Sequence, residues 1–186
     1  MKAPRILNVW CNQKAVGKLT ENNNLWQFEY ANDWHDFSLS PDLPIDARTI
    51  ADGGSLRPVQ WFFDNLLPEE GARQLLAKDA GINQADAFGL LVHFGAESAG
   101  ALTLLQEGEA SVLAQEHSLH NESLSERIKQ LPHVPLSTGS SKRMSLAGAQ
   151  HKLPIIYRDG RLYEPIGATP STHILKPDHS DPEQYA

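Results

Sequence analysis

The sequence predicts an α+β protein built in two parts. Three observations carry that prediction. Runs near the N-terminus alternate apolar and polar residues between asparagine-rich turns. Apolar residues from Val59 to Phe94 recur at helical spacing between prolines and glycines. A second pair of extended runs, Leu153–Tyr157 and Arg161–Pro165, brackets Arg158-Asp159-Gly160, and Asp-Gly between short strands is a strong hairpin signal.

Composition narrows the class. With 186 residues, 40% apolar and 21% charged, the chain has enough material for one or two small domains with a real core. A net charge of −7 argues against direct nucleic-acid binding. There is no run of about 18 apolar residues, so no membrane span is expected, and the N-terminus lacks a signal-peptide layout. The one cysteine, Cys11, cannot form an internal disulfide or a cysteine-built zinc site. Together these favour a cytoplasmic protein.

The elements follow in order. Arg5–Trp10, Ala15–Leu19 and Leu25–Tyr30 read as a meander turning at Asn12-Gln13-Lys14 and Asn22-Asn23-Asn24. Trp26, Phe28 and Tyr30 share one face at period two and read as sheet core. A base-stacking platform would sit among basic residues, whereas Glu21, Glu29 and Asp33 surround these aromatics. Phe37–Ala47, with Pro41 and Pro44, reads as an edge strand or extended loop. Asp52-Gly53-Gly54-Ser55 reads as a flexible break. Pro58 opens a helix that stops near Pro68. Glu69–Ala80 is a second helix, with Gly81 as its C-terminal cap, and Ala85–Phe94 is a third. Asp64 and Asn65 read as caps or ties of the helix turn, with a functional role as the other reading. Ser98–Leu105 returns to strand character and would close the first sheet.

Glu107–His120 is polar and reads as a connection. Ser123–Leu131 is a short helix opened by the capping pair Ser123 and Glu126. The eight histidines show no ligand pattern; His117 and His120 lack the carboxylate of a His-Glu-x-x-His motif and read as surface. Then comes Ser145-Leu146-Ala147-Gly148-Ala149-Gln150-His151-Lys152, a stretch of small residues leading into the hairpin. The second run continues to His173-Ile174-Leu175-Lys176. Loop, hairpin, strand and lysine is the order in which a protein kinase assembles its phosphate site. The loop has one glycine and is no Walker A motif. The residues alone therefore leave two readings: a nucleotide loop with a phosphate lysine, or a small-residue turn with Lys176 as a solvated charge.

Four stretches, in one order, resemble HipA-type serine/threonine kinases, the toxins of bacterial toxin–antitoxin modules. They are Phe62-Phe63-Asp64-Asn65-Leu66-Leu67-Pro68; Phe88-Gly89-Leu90-Leu91 with Gly95–Leu104; Ser145–Lys152; and Pro170-Ser171-Thr172-His173-Ile174-Leu175-Lys176-Pro177. The resemblance spans nearly the whole chain but only the first part of such a kinase. It implies an ATP site in which Ala147, Gly148, Ala149, Gln150, His151 and Lys152 fold over the phosphates and Lys176 contacts them. Exposed amides of Ala147, Gly148 and Ala149 suit phosphate oxygens. It implies that Ser145 is a regulatory phosphorylation site, where about −1.5 to −2 added charges would disturb a triphosphate pocket. A turn serine is the other reading. It also implies ATP and Mg2+ as cofactors, a protein substrate, and a DNA-binding antitoxin of the HipB type as partner.

In the resembled kinases the catalytic and metal-binding aspartates lie beyond the lysine strand, so no catalytic or metal residue is assigned in this sequence. The expected organisation is a HipA-like N-terminal subdomain at 1–110, a connection with a short helix at 111–136, and the start of a kinase-like N-lobe at 137–186. The fold class is thus α+β, with an antiparallel sheet and short helices followed by an incomplete kinase-like N-lobe, inactive alone. The alternative is a non-catalytic interaction module, or antitoxin-like subdomain, that docks on a separate kinase core. A truncated, split or decayed kinase would each give such a sequence.

Overall fold

A computed structural model describes residues 3–97, 101–109, 115–130, 152–166 and 169–177. The N-terminal meander forms as β1 (Arg5–Cys11), β2 (Lys14–Asn22) and β3 (Leu25–Tyr30). Its two-residue turns, Asn12-Gln13 and Asn23-Asn24, hold positive φ at all four residues. That handedness matches the twist of antiparallel strands, and asparagine tolerates it better than most residues. β4 (Thr49–Ala51) pairs with β3 and β5 (Leu102–Leu105) with β1, giving the order β4-β3-β2-β1-β5. The expected closure of the first sheet by the Ser98–Leu105 region is therefore observed in β5. Phe37–Pro44 is a loop that runs into a one-turn 3-10 helix at Ile45–Ala47, and the edge strand follows at β4.

A bulge re-phases β2. Val9 pairs with Gly17 but Trp10 pairs with Ala15, leaving Val16 as the extra residue. Val16 and Leu19 can then both point inward although three residues apart. Gly17 is required beside the bulge, because a Cβ there would meet the Glu29 carbonyl oxygen at 2.2 Å and Phe28 Cζ at 2.6 Å.

The inner face of the sheet presents Leu7, Val9, Val16, Leu19, Trp26, Phe28 and Tyr30, all buried. Three helices cover it: α1 (Pro58–Asp64), α2 (Glu70–Ala80) and α3 (Ala87–Phe94). Trp26 meets Phe88 edge-on at 5.1 Å between centroids, and Phe28 meets Phe63 at 5.4 Å. α2 ends on Gly81 in the left-handed conformation (φ 65°), as its position after the apolar stripe predicts. Asp64 joins α1 to α2 through Arg73 at 2.8 Å, the tying role expected of it.

Polar groups lock the loops to this core. The Tyr30 hydroxyl donates to the Leu43 carbonyl at 2.6 Å and accepts the Leu39 N–H at 2.8 Å. Asp52, read from sequence as part of a flexible break, is instead buried. It accepts the Val59 and Gln60 N–H groups at 2.9 and 3.2 Å, capping α1 from six residues upstream of Pro58. Burial pushes its carboxyl above the ordinary aspartate range, outweighing those amides. Arg5 bridges Glu21 and Asp86, and Asp86 caps α3 by accepting the Gly89 N–H at 3.0 Å.

The second sheet has the order β6-β8-β7-β9, from β6 (Gln115–Ser118), β7 (Leu153–Arg158), β8 (Arg161–Ile166) and β9 (His173–Leu175). β7 and β8 form the expected hairpin around Asp159 and Gly160, both with positive φ. β6 falls where the sequence suggested a connection. All four of its residues are exposed, so it has no apolar alternation to read and is held by backbone pairing to β8. α4 (Asn121–Gln130) starts two residues before the expected capping serine. Leu124, like Leu162 and Leu175, packs on the buried cluster of Leu119, Leu153 and Ile155, and Arg127 pairs with Glu164 at 2.6 Å.

Candidate functional site

The candidate site is one end of the β7–β9 ladder. Leu153 pairs with Leu175, Pro154 with Ile174 and Ile155 with His173, antiparallel. Continued one residue past Leu153 and Leu175, this register sets Lys152 opposite Lys176. Directly opposed positions hold their Cβ atoms within about 5.5 Å. Two residues 24 apart in sequence, one just before β7 and one just after β9, thus fall at the same end of the pairing.

Alternation fixes their face. Leu153, Ile155 and Leu175 belong to the apolar cluster with Leu124 of α4. Side chains of successive strand residues point to opposite faces, so Lys152 and Lys176 share the other face with Pro154, Ile174 and Ile156. Lys176 is exposed and Lys152 partly so. Ile174 is 51% exposed and Ile156 is buried. The sheet end therefore sets the exposed Lys176 beside the exposed Ile174, with the partly buried Lys152 across from it. That combination suits an anion carrying an apolar ring system, with a phosphate chain at the lysines.

Thr172 sits at the other end of the β7–β9 pairing. Its N–H donates to the Ile155 carbonyl at 3.0 Å, and its Oγ1 accepts the Tyr157 N–H at 2.9 Å. The same oxygen lies 2.8 Å from His173 Nδ1. Beyond it, Tyr157 and His173 contact edge-on at 5.8 Å. At the hairpin turn, Arg158 pairs with Glu116 and stacks 5.0 Å from the Tyr163 ring centroid. The hydrogen bond to Glu116 raises the Arg158 pKa and joins β6 to β7.

Of the residues singled out from sequence, Lys152 directly precedes β7 and Lys176 directly follows β9, at the same end of the pairing. Ser145, Ala147, Gly148, Ala149, Gln150 and His151 lie outside the described residues. Sequence reasoning missed the opposition of the two lysines and the role of Thr172. The signal for the first was partial: one lysine precedes an apolar run and the other follows one, but nothing local says that the two runs pair. Among the described residues no three His, Cys, Asp or Glu side chains gather as a metal site, and no helix is long and apolar enough to cross a membrane.

Comparison with known proteins places these features in context. Residues 7–105 match the HipA N-terminal domain family. The Sinorhizobium fredii protein Y4mE, which carries a kinase name, is 36% identical over 181 residues, covering 93% of this chain and 43% of its own length. The serine/threonine-protein kinase toxin HipA of Shewanella oneidensis is 30% identical over 150 residues, covering 79% of this chain and 34% of the toxin. A solved complex of Shewanella oneidensis HipA, HipB and operator DNA contains a chain that superposes with a TM-score of 0.70 at 26% identity. That match covers 94% of this chain and 41% of the other. Matches this broad extend past residue 105 into the second sheet. The chain spans about two fifths or less of the length of these relatives.

Proposed function

The chain belongs to the HipA family through its N-terminal domain, and we propose that it serves as the N-terminal part of a HipA-type serine/threonine kinase toxin, carrying part of an ATP site but not the catalytic lobe. The observation that supports this reading is the antiparallel β7–β9 register, Leu153 with Leu175, which continued by one residue sets Lys152 across from Lys176.

The residues present fit a nucleotide. Lys176, at the end of a short strand, is a point charge on an ordered element, as a phosphate lysine must be. Lys152 is a second cation on this end, and Ile174, 51% exposed, gives apolar surface on the same face. Ala147, Gly148, Ala149, Gln150 and His151 complete the proposed binding loop, with Lys152 as its last residue. Bound there with Mg2+, ATP supplies the transferable phosphoryl group. The chain's own residues hold its phosphates, and the aspartates that activate the hydroxyl and hold the metal are assigned to a lobe beyond this sequence. Ser145, just before the loop, is the proposed regulatory phosphorylation site: a phosphate there competes for the same cations. The proposed partners are a protein substrate and a HipB-type DNA-binding antitoxin, in keeping with the complex that the Shewanella relative forms. The proposed setting is cytoplasmic.

A second reading has one observation in its favour. The first sheet and its three helices enclose their own core, from Leu7 to Leu104. Such a unit can act as a non-catalytic module that docks on a separate kinase core.

Calorimetric titration of ATP into the whole chain, with and without Mg2+, tests the first reading. Binding that is lost in Lys176→Ala is expected. Equal heats in wild type and Lys176→Ala would refute a nucleotide site at this sheet end and leave the docking module as the better account.

A further inference from the structure

We propose that Thr172 is the positioning residue of the nucleotide site: its hydroxyl fixes the β7–β9 register that sets Lys176 opposite Lys152. The inference rests on the reading above and adds to it the device that aims the phosphate lysine.

β9 is only three residues long and, among the described residues, pairs with β7 alone. A short edge strand is poorly specified by its ladder, and its register decides where every side chain lands. A slip of one residue turns Lys176 to the opposite face, towards α4. A slip of two keeps the face but moves Lys176 about 7 Å along the sheet. Either separates it from Lys152. Side-chain packing does little to prevent this, because His173 and Ile174 are exposed and Leu175 is the one β9 residue in the apolar cluster.

Thr172 supplies what packing does not. Its N–H reaches back to the Ile155 carbonyl at 3.0 Å, and its Oγ1 takes the Tyr157 N–H at 2.9 Å. Two hydrogen bonds to two alternate residues of β7 come from one residue of the β9 arm. The geometry is register-specific: after a slip, the hydroxyl no longer faces the Tyr157 amide. His173 Nδ1, 2.8 Å away, bonds to the same hydroxyl and holds its rotamer. Serine retains the hydroxyl, whereas valine keeps the branched shape and loses the acceptor. The pair of substitutions therefore separates hydrogen bonding from packing.

The test uses the whole chain as wild type, Thr172→Val, Thr172→Ser and Lys176→Ala. Two quantities are read on each: ATP affinity in the presence of Mg2+, and amide hydrogen exchange at Tyr157 and along β7. In Thr172→Val we expect faster exchange at Tyr157 and ATP binding weaker by roughly 3- to 10-fold, the scale of one lost hydrogen bond. Thr172→Ser restores both. ATP binding at the wild-type level in Thr172→Val, with Lys176→Ala impaired, overturns the positioning role and leaves the nucleotide site standing. Absence of ATP binding in wild type removes the nucleotide site and the positioning role with it. If Thr172→Val loses protection along all of β7, the decision passes to Thr172→Ser. Wild-type affinity there supports the role, and weakened affinity with intact pairing overturns it.

Discussion

Replacing Arg5 by methionine should remove a large share of the first domain's stability. The Arg5 guanidinium donates to Glu21 at 2.8 Å and to both Asp86 oxygens at 2.9 and 3.0 Å, and lies 4.8 Å from the Phe88 ring centroid. It thus joins β1, β2 and the N-terminus of α3. The Glu21 side chain is 12% exposed, while Arg5 and Asp86 are 30% and 39% exposed. The Asp86 arm is solvent-screened and contributes at most about 1 kcal/mol. The Glu21 arm is not: its loss leaves a nearly buried carboxylate without its cation though still bonded to the Asn24 N–H, at about 1.5–3 kcal/mol for a charged hydrogen bond. The ring contact adds about 0.5–1 kcal/mol. These terms overlap, so about 2–4 kcal/mol is expected. Urea unfolding followed by tryptophan fluorescence reads it, since Trp26 packs on Phe88. The pH dependence is a second arm. Burial pushes the Glu21 carboxyl up, but the Arg5 bond and the Asn24 N–H pull it down further, so its folded pKa lies below the ordinary range. The associated stability is present above the usual glutamate value of about 4.3 and is lost as pH falls through the lower folded value. The gap between wild type and Arg5→Met should therefore narrow in acid. A loss under 1 kcal/mol, or a gap unchanged from neutral pH to pH 3, would refute the reasoning.

Two other substitutions test the fold's local claims. Gly17→Ala drives a Cβ into the Glu29 carbonyl at 2.2 Å, where the neighbour is backbone, so a loss above about 3 kcal/mol in a urea melt is expected. Asp52→Ala removes the acceptor for two α1 amides and should cost about 1–2 kcal/mol. Asp52→Asn keeps an acceptor and removes the charge. Because burial raises the Asp52 pKa, its favourable share is full below the ordinary value of about 3.9 and is lost as pH rises through the higher folded value. Asp52→Asn should remove that decline, which thermal melts across pH 4–7 would show.

Much of the fold was legible because its signals are local. Alternation at Trp26, Phe28 and Tyr30, asparagines at two turns, Pro58 at the start of a helix and Gly81 after one each act within a few residues. Asp159-Gly160 likewise announced the β7–β8 hairpin. What was not legible depends on partners distant in sequence. β6 is Gln115-Glu116-His117-Ser118, and nothing in those residues says strand until β8 offers its backbone. Asp52 looks like a loop residue because the amides it caps belong to Val59 and Gln60. The candidate site divides the same way. Lys176 at the end of an apolar run could be read directly. Its opposition to Lys152 arises from antiparallel pairing of β7 with β9, which no local pattern encodes.

The limits of the family match have a structural reason that yields one further test. Residues 7–105 begin and end on neighbouring strands, with Asn8 paired to Leu105 and Val9 to Leu104. The unit is complete only when β5 returns to cover the β1 edge, and β5 also seats Gly95, where an added Cβ would meet Leu104 Cβ at 2.7 Å. A fragment of residues 1–109 should therefore fold, whereas a fragment of 1–101 should not. The shorter one loses the buried Leu102, Leu104 and Leu105. At about 1.5–3 kcal/mol for each buried leucine the deficit is about 5–9 kcal/mol. A domain holds about 5–15 kcal/mol in all, so the shorter fragment sits at or below the threshold for folding. Circular dichroism melts of the two fragments decide it. A cooperative transition in 1–101 within a few degrees of that in 1–109 would mean that the three helices and four strands suffice. β5 would then be an attachment to the core, not its closure.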